Sequence, residues 1–192
     1  MSARRRAARW SGLRGLDERL MSRSADARSK ILDGTLVALT RAASYSRLWL
    51  LIAGVLAFSG RERARRAAAD GLLATAIAAV IVNGPAKLLV RRRRPSRPSS
   101  PPLIVMPHTS SFPSGHSASA FAFATGASCA WPLLAPALLP LATTVAYSRV
   151  HAGVHYPTDV AAGAAIGAGA GLIASRLRRA ASRTDVCAAA LS

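Results

Sequence analysis

At 192 residues the chain is the size of one domain, half of it is hydrophobic, and its net charge is +18. That balance belongs either to a nucleic-acid binder or to a membrane protein with charged flanks. Three Trp, three Tyr and four Phe are too few for a base-stacking platform, and the arginines cluster between apolar runs instead of striping one face. A lipid bilayer is therefore expected as a partner and nucleic acid is not. Cys129 and Cys187 have no paired or CxxC spacing, which argues for neither a disulfide framework nor a zinc site.

Residues 1–30 carry nine basic and three acidic side chains, with Trp10, Leu13, Leu16 and Leu20 at roughly helical spacing. This predicts an amphipathic helix on an anionic bilayer surface. No apolar core followed by a small-residue cleavage site is present, so no cleavable signal peptide is expected. Residues 31–46 are moderately apolar and interrupted by Asp33 and Arg41. Residues 48–59 are strongly apolar but short, and Gly60 with the arginines of 61–66 ends them.

Residues 67–90 are long enough to cross a bilayer, which takes ~20 residues. Asn83, Pro85 and Lys87 sit near the end of this run, so that end must face protein or water. A loop dense in arginine, proline and serine follows over 91–112, then apolar runs at 114–130, 133–147 and 158–175. Pro132 divides the first two into a helical hairpin. Gly163, Gly167 and Gly171 in the last run have the four-residue spacing that lets a neighbouring helix approach closely. Arg176, Arg178, Arg179 and Arg183 close the membrane part. The predicted fold is all-α, a polytopic transmembrane helix bundle of five to six spans with an N-terminal amphipathic segment. Its divisions are a basic segment over 1–30, a transmembrane domain over 31–179 and a tail over 180–192.

Charge sets the expected topology. If residues 31–46 cross, the N-terminus and the arginines of 61–66 and 176–183 are all cytoplasmic, as the positive-inside rule prefers. The loops at 91–112 and 148–157 then share the extracytoplasmic face. Without that first crossing, the N-terminal arginines end up outside. The six-crossing arrangement satisfies more charges, although Arg91, Arg92 and Arg93 then sit outside.

The chemistry gathers at the same ends of three stretches. In 148–159, SRVHAGVHYPTD, two histidines and an arginine accompany Asp159, the lone carboxylate between Gly71 and Thr184. One acid supplies neither a two-carboxylate pair nor a cage for Mg²⁺, but it can orient one imidazole and leave the other ring nitrogen as base or nucleophile. His155, four residues earlier, is the candidate. Lys87 and Arg94 are seven residues apart, about two helical turns, and can point at one place; Arg149 adds a third cation. Arg91, Arg92 and Arg93 are read as headgroup contacts. Ser114, Gly115 and His116 open an apolar helix whose free N–H groups suit phosphate oxygens, with His116 near enough to hand a proton to a leaving oxygen.

Lys87-x6-Arg94-Pro95, then Pro113-Ser114-Gly115-His116, then Ser148-Arg149-x5-His155-x3-Asp159 resembles the three-part signature of the type 2 phosphatidic acid phosphatase (PAP2) superfamily. The resemblance covers about residues 30–175. It implies a phosphatase without metal or other cofactor, in which His155 attacks phosphorus to give a phosphohistidine and Asp159 holds it. His116 would protonate the leaving group, and Lys87, Arg94, Ser114, Gly115 and Arg149 would bind the phosphate. His151 lies outside the signature and is read as a rim residue. The apolar runs set the chain apart from the soluble vanadium-dependent haloperoxidases of the same superfamily.

The resulting expectation is an integral membrane phosphatase of a lipid phosphate or diphosphate: a polyprenyl carrier, a prenyl-phosphoryl sugar phosphate or a glycerolipid phosphate. Arginine- and alanine-rich usage fits a GC-rich bacterium, hence the inner membrane. Three rivals are a metal hydrolase using His151, His155 and Asp159, an acyl hydrolase using Ser114, and a non-enzymatic basic membrane anchor. Gly153 and Pro157 disfavour the regular helix that the metal set needs, no GxSxG elbow supports a serine nucleophile, and an anchor leaves His116, His155 and Asp159 idle.

Overall fold

The computed structural model describes the backbone of residues 3–96 and 100–189 and the side chains of residues 13–96 and 100–181. Among the described residues the chain is all helix, turn and loop, with no strand. The helices are α1 (Ala3–Asp26), α2 (Lys30–Ala42), α3 (Arg47–Phe58), α4 (Glu62–Ile81), the single turn α5 (Lys87–Leu89), α6 (Gly115–Ala130), α7 (Ala135–His151) and α8 (Pro157–Ala189). Three helical stretches are long and apolar enough to cross a membrane: Glu62–Leu89, Pro132–His151 and Pro157–Ala181. The chain is a membrane protein.

Helix α6 lies at the centre, packed on α8, α4 and α7. Its sequence explains that position, because Ala118, Ala120, Ala122, Ala124 and Ala127 present only methyl groups and are fully or almost fully buried. Where lipid surrounds the bundle, close backbone approach supplies the packing energy that water would otherwise drive. On α8, a Cβ placed at Gly163 or Gly167 would run into the carbonyl oxygens of Ser114 and Ala118, and at Gly171 into Thr125 Cβ at 2.6 Å. The glycine spacing is thus a contact surface for α6. Trp49 of α3 closes the other side, its ring 5.5 Å from that of Phe123.

Pro132 starts a one-turn 3-10 helix between α6 and α7, giving the hairpin that the sequence predicts. Between α4 and α5 a π-helical turn, Val82–Ala86, contains Pro85, and Gly84 leaves helical geometry (φ −90, ψ −109). Proline removes a backbone donor and crowds the preceding turn, so the helix widens and bends there. Val90 is already extended, and residues 91–96 and 100–114 are non-helical.

The end of α5, the start of α6, the end of α7 and the start of α8 lie together. The opposite end is tied by an ion pair between Asp70 of α4 and Arg178 of α8. Helix α2 departs from expectation. Asp33 and Thr40 are about 10 Å apart along it, yet they bond to His151 and Arg149, two residues apart on α7. Ser44, just beyond α2, reaches His116 on α6. Helix α2 thus contacts the site end of α7, and its 13 residues are not among the stretches long and apolar enough to cross. The buried polar groups and Asp33 hold it there. Helix α1 also docks at this end: Asp17, Met21 and Ser24 face inward and are buried, while Leu13, Leu16 and Leu20 stay partly exposed. Trp10 and Arg183 lie outside the described side chains.

Candidate functional site

A cavity of about 470 Å³ opens at this end. Lys87, Arg94, Gly115, His116, Arg149 and His155 all line it, drawn from three separate stretches of chain. Lys87 and Arg94 do not meet through two turns of helix as their spacing suggests. The helix stops at Leu89, Val90 is extended, and the non-helical chain that follows carries Arg94 inward. In extended backbone residues i and i+2 share a face. Arg92 and Arg94 accordingly turn in and are half-buried, while Arg91 and Arg93 are exposed.

His155 is buried and its two ring nitrogens are distinguishable. Nδ1 lies 2.7 Å from the Ser111 carbonyl oxygen, which can only accept, so Nδ1 carries the proton. Nε2 accepts from Arg94 Nη1 at 3.1 Å and keeps its lone pair on the cavity side. Burial is the main reason that the His155 pKa falls from 6.5 to about 4; Asp159 opposes the fall, and Arg94 and Arg149 add to it. The ring is neutral through the physiological range. Arg94 is itself pinned by the carbonyls of Val154 (2.8 Å) and Thr109 (3.0 Å), and burial holds its pKa below the usual arginine value.

Asp159 is fully buried, but its Oδ2 stands 3.8 Å from His155 Nδ1. It accepts instead from the Ser111 hydroxyl at 2.5 Å and from the Tyr156 N–H at 3.0 Å. The carboxylate thus reaches the imidazole by way of Ser111, whose own carbonyl holds the ring. Asp159 Oδ1 accepts from Arg92 Nη1 at 2.7 Å. This corrects the reading of Arg92 as a headgroup contact, because its guanidinium points inward; Arg91 and Arg93 keep the outward orientation.

Arg149 is almost fully buried and donates to Thr40 Oγ1 at 2.7 Å. Among the described residues its Nε is a buried donor with no partner. An unpaired buried donor of a charged group is costly, and Arg149 also lines the cavity. His116 Nε2 lies 3.3 Å from Ser44 Oγ, and Lys87 Nζ donates to Asn83 Oδ1 at 3.1 Å. Ser114 is placed differently from Gly115. Its hydroxyl is fully buried, caps α6 by accepting from Ser117 N and Ser117 Oγ, and does not line the cavity. In this arrangement the Ser114 hydroxyl serves as the N-cap of α6, the usual role of a serine at that position.

His151 also leaves the rim. Its Nε2 is 2.7 Å from Asp33 and its Nδ1 3.4 Å from Ser24 Oγ, so it buttresses α1 and α2. Among the described residues no group of three or more His, Cys, Asp or Glu is arranged to hold a metal ion. Thr40, Ser44, Ser111 and Arg92 had no motif to announce them. For Arg92 alone a signal existed, since a run of four arginines in extended chain must alternate in direction.

A second opening of about 690 Å³ shares Lys87, Arg94 and Thr109 with the cavity and is flanked by Arg91, Arg93, His108 and Leu88. Leu88, Leu89 and Val105 are largely exposed at this end, so apolar and cationic surfaces adjoin.

The profile of the PAP2 superfamily matches residues 69–183, which includes every lining residue with a charge. Decaprenylphosphoryl-5-phosphoribose phosphatase of Mycobacterium tuberculosis is 39% identical over 127 residues, 65% of this chain and 68% of that protein. The enzyme of the same name from Mycolicibacterium smegmatis is 38% identical over 128 residues, 66% of this chain and 68% of its own length. Among solved structures, Aquifex aeolicus LpxE superposes with a TM-score of 0.72 at 28% identity, over 84% of this chain and 95% of its own. A PAP2-type phosphatidylglycerolphosphate phosphatase from Bacillus subtilis shares the fold, with a TM-score of 0.70 at 22% identity over 88% and 87%. The chain belongs to the PAP2 superfamily and is a phosphatase.

Proposed function

We propose that the chain hydrolyses the terminal phosphate of a membrane lipid, with a prenyl-phosphoryl sugar phosphate as the leading substrate class. One observation carries this reading: three cations and two imidazoles from three stretches line a single cavity, and among the described residues Arg149 keeps a buried Nε with no partner. Phosphoryl transfer is mostly positioning plus stabilisation of the equatorial oxygens. The apolar side chains exposed beside the cavity would let the lipid tail remain in the bilayer while its phosphate enters. The curated relatives named above favour a prenyl-phosphoryl sugar over a glycerolipid.

In the proposed reaction Lys87, Arg94, Arg149 and the backbone of Gly115 at the Ser114-capped helix end hold the phosphate. Arg94 turns from His155 Nε2 to a phosphate oxygen and frees the lone pair. Nε2 attacks phosphorus, the P–O bond to the lipid breaks, and His116, protonated once the phosphate dianion is bound, delivers that proton to the leaving oxygen. Water then attacks the phosphohistidine, His116 takes its proton, and inorganic phosphate leaves with His155 restored. No metal enters these steps.

Phosphate release should be measured from prenyl diphosphates, a prenyl-phosphoryl pentose phosphate, phosphatidate and phosphatidylglycerol phosphate. Fastest turnover of the pentose phosphate is expected, and preference for a glycerolipid would refute the substrate class. For topology, the placement of α1 and α2 supports five crossings (α3, α4 with α5, α6, α7 and α8). The N-terminus then shares the face of the site. The basic residues of 1–30 and arginines 91–94 outweigh those of 61–66 and 176–183 at the other end, and the positive-inside rule turns the site toward the cytoplasm. That reverses the orientation expected from six crossings.

A further inference from the structure

Asp17 is one of only eight acidic residues in a chain of net charge +18, it stands far outside the matched region of 69–183, and it is fully buried. Each of its oxygens is used. Oδ1 accepts from Thr158 N at 2.9 Å, at the start of α8. Oδ2 accepts from Thr158 Oγ1 and from Arg92 Nη2, both at 2.7 Å. Arg92 in turn donates through Nη1 to Asp159 Oδ1 and to Thr158 Oγ1, again both at 2.7 Å, and its guanidinium lies 4.0 Å from the centre of the Tyr156 ring.

The donor directions along this path are all determined. Arg92 donates to both carboxylates, and Thr158 Oγ1 accepts from Arg92 while giving its single proton to Asp17. The Ser111 hydroxyl donates to Asp159, and the Ser111 carbonyl accepts from His155 Nδ1. An unbroken chain of fixed polarity therefore runs from α1 to the ring that faces the cavity.

We infer that Asp17 and Arg92 are positioning residues for the nucleophile, which makes α1 part of the catalytic apparatus. Two physical effects support the assignment. A planar guanidinium fork bridges two carboxylates with directional bonds, which a lysine does not do. An arginine touching Asp159 alone would also draw the carboxylate's charge away from the imidazole. Asp17 neutralises that arginine, so Asp159 keeps its negative field on the Ser111–His155 side, where positive charge develops as Nε2 attacks.

The inference rests on His155 being the nucleophile. The full-length protein in detergent micelles is assayed for phosphate release from a prenyl-phosphoryl pentose 5-phosphate. Asp17→Asn and Arg92→Gln should each lower kcat about 10–100-fold, the usual range for residues that orient a reacting group, with KM within about threefold. The double variant should be no slower than the slower single one, because a chain is broken once. Asp17→Glu, which keeps the charge, should recover most of kcat. Wild-type kcat in folded Asp17→Asn or Arg92→Gln, or losses that multiply in the double variant, would overturn the assignment. If both fail to fold, Thr158→Val gives the same reading, with lower kcat at unchanged KM in support and unchanged kcat against. An inactive His155→Ala beside a fully active Asp17→Asn sinks this inference alone, whereas an active His155→Ala sinks the nucleophile reading with it.

Discussion

His155 is held by two hydrogen bonds of opposite sense, one donated to Ser111 and one accepted from Arg94. Together they select a single tautomer with its lone pair toward the cavity. If Nε2 is the nucleophile, His155→Ala should lower kcat by about 10⁴-fold or more; turnover within tenfold of wild type would reject the role. The buried ring also makes a pH prediction. Its pKa, lowered from 6.5 to about 4, keeps the neutral form as pH falls through 6.5. An imidazole NMR signal assigned by its loss in His155→Ala should titrate near 4, and a midpoint near 6.5 would contradict the burial. The sign for stability follows: between these values only the unfolded chain takes up the proton, so the fold weakens as pH drops from about 6.5 to 4. Arg149 bears on substrate instead. With its buried Nε unpaired among the described residues, Arg149→Ala should lower kcat/KM about 10²–10³-fold, as loss of one oxyanion donor does.

At the scale of elements, two contacts decide how the helices sit. Helix α8 meets α6 through glycines, and at Gly167 a side chain would strike the Ala118 carbonyl. Gly167→Val should destabilise the protein by about 1–3 kcal/mol, the range for overpacking, read as a lower melting temperature in detergent. Gly169 has nothing within 4 Å of a Cβ, so Gly169→Ala should leave melting unchanged or slightly raised. Equal effects at both positions would remove the packing argument. Helix α2 acts on the site through Thr40, which holds Arg149. Thr40→Val should raise KM about tenfold, near the 1.5 kcal/mol of a hydrogen bond to a charged group. Unchanged KM would mean that Arg149 needs no anchor.

At the scale of the whole molecule, topology and metal dependence are the open tests. In a background without Cys129 and Cys187, Val105→Cys at the site end and Ser59→Cys at the other should label from opposite sides with a membrane-impermeant maleimide. Cytoplasmic labelling at 105 is expected, and labelling at 105 from outside would restore the orientation read from six crossings. Turnover should persist in EDTA, because the proposed steps need only side chains of this chain; complete loss reversed by a divalent cation would require a different mechanism.

Sequence alone determined which residues line the cavity and the helical class. Lys87, Arg94, Gly115, His116, Arg149 and His155 stand at the ends of apolar runs, and antiparallel crossings bring such ends together whatever their detailed packing. The glycines of α8 were legible for a similar reason, since a repeat of four residues lies on one helix face. Tertiary structure decided what period and composition do not encode. Arg92 faces inward because helix gives way to extended chain at Val90, and that switch changes which of four identical residues share a direction. Ser114 was claimed by its own helix turn, and His151 by Asp33 from a segment more than a hundred residues away. Asp17 is an ordinary acid in a basic, solvent-like segment until α1 folds over the bundle end. Its partners are distant in the chain, and only three-dimensional contact joins them.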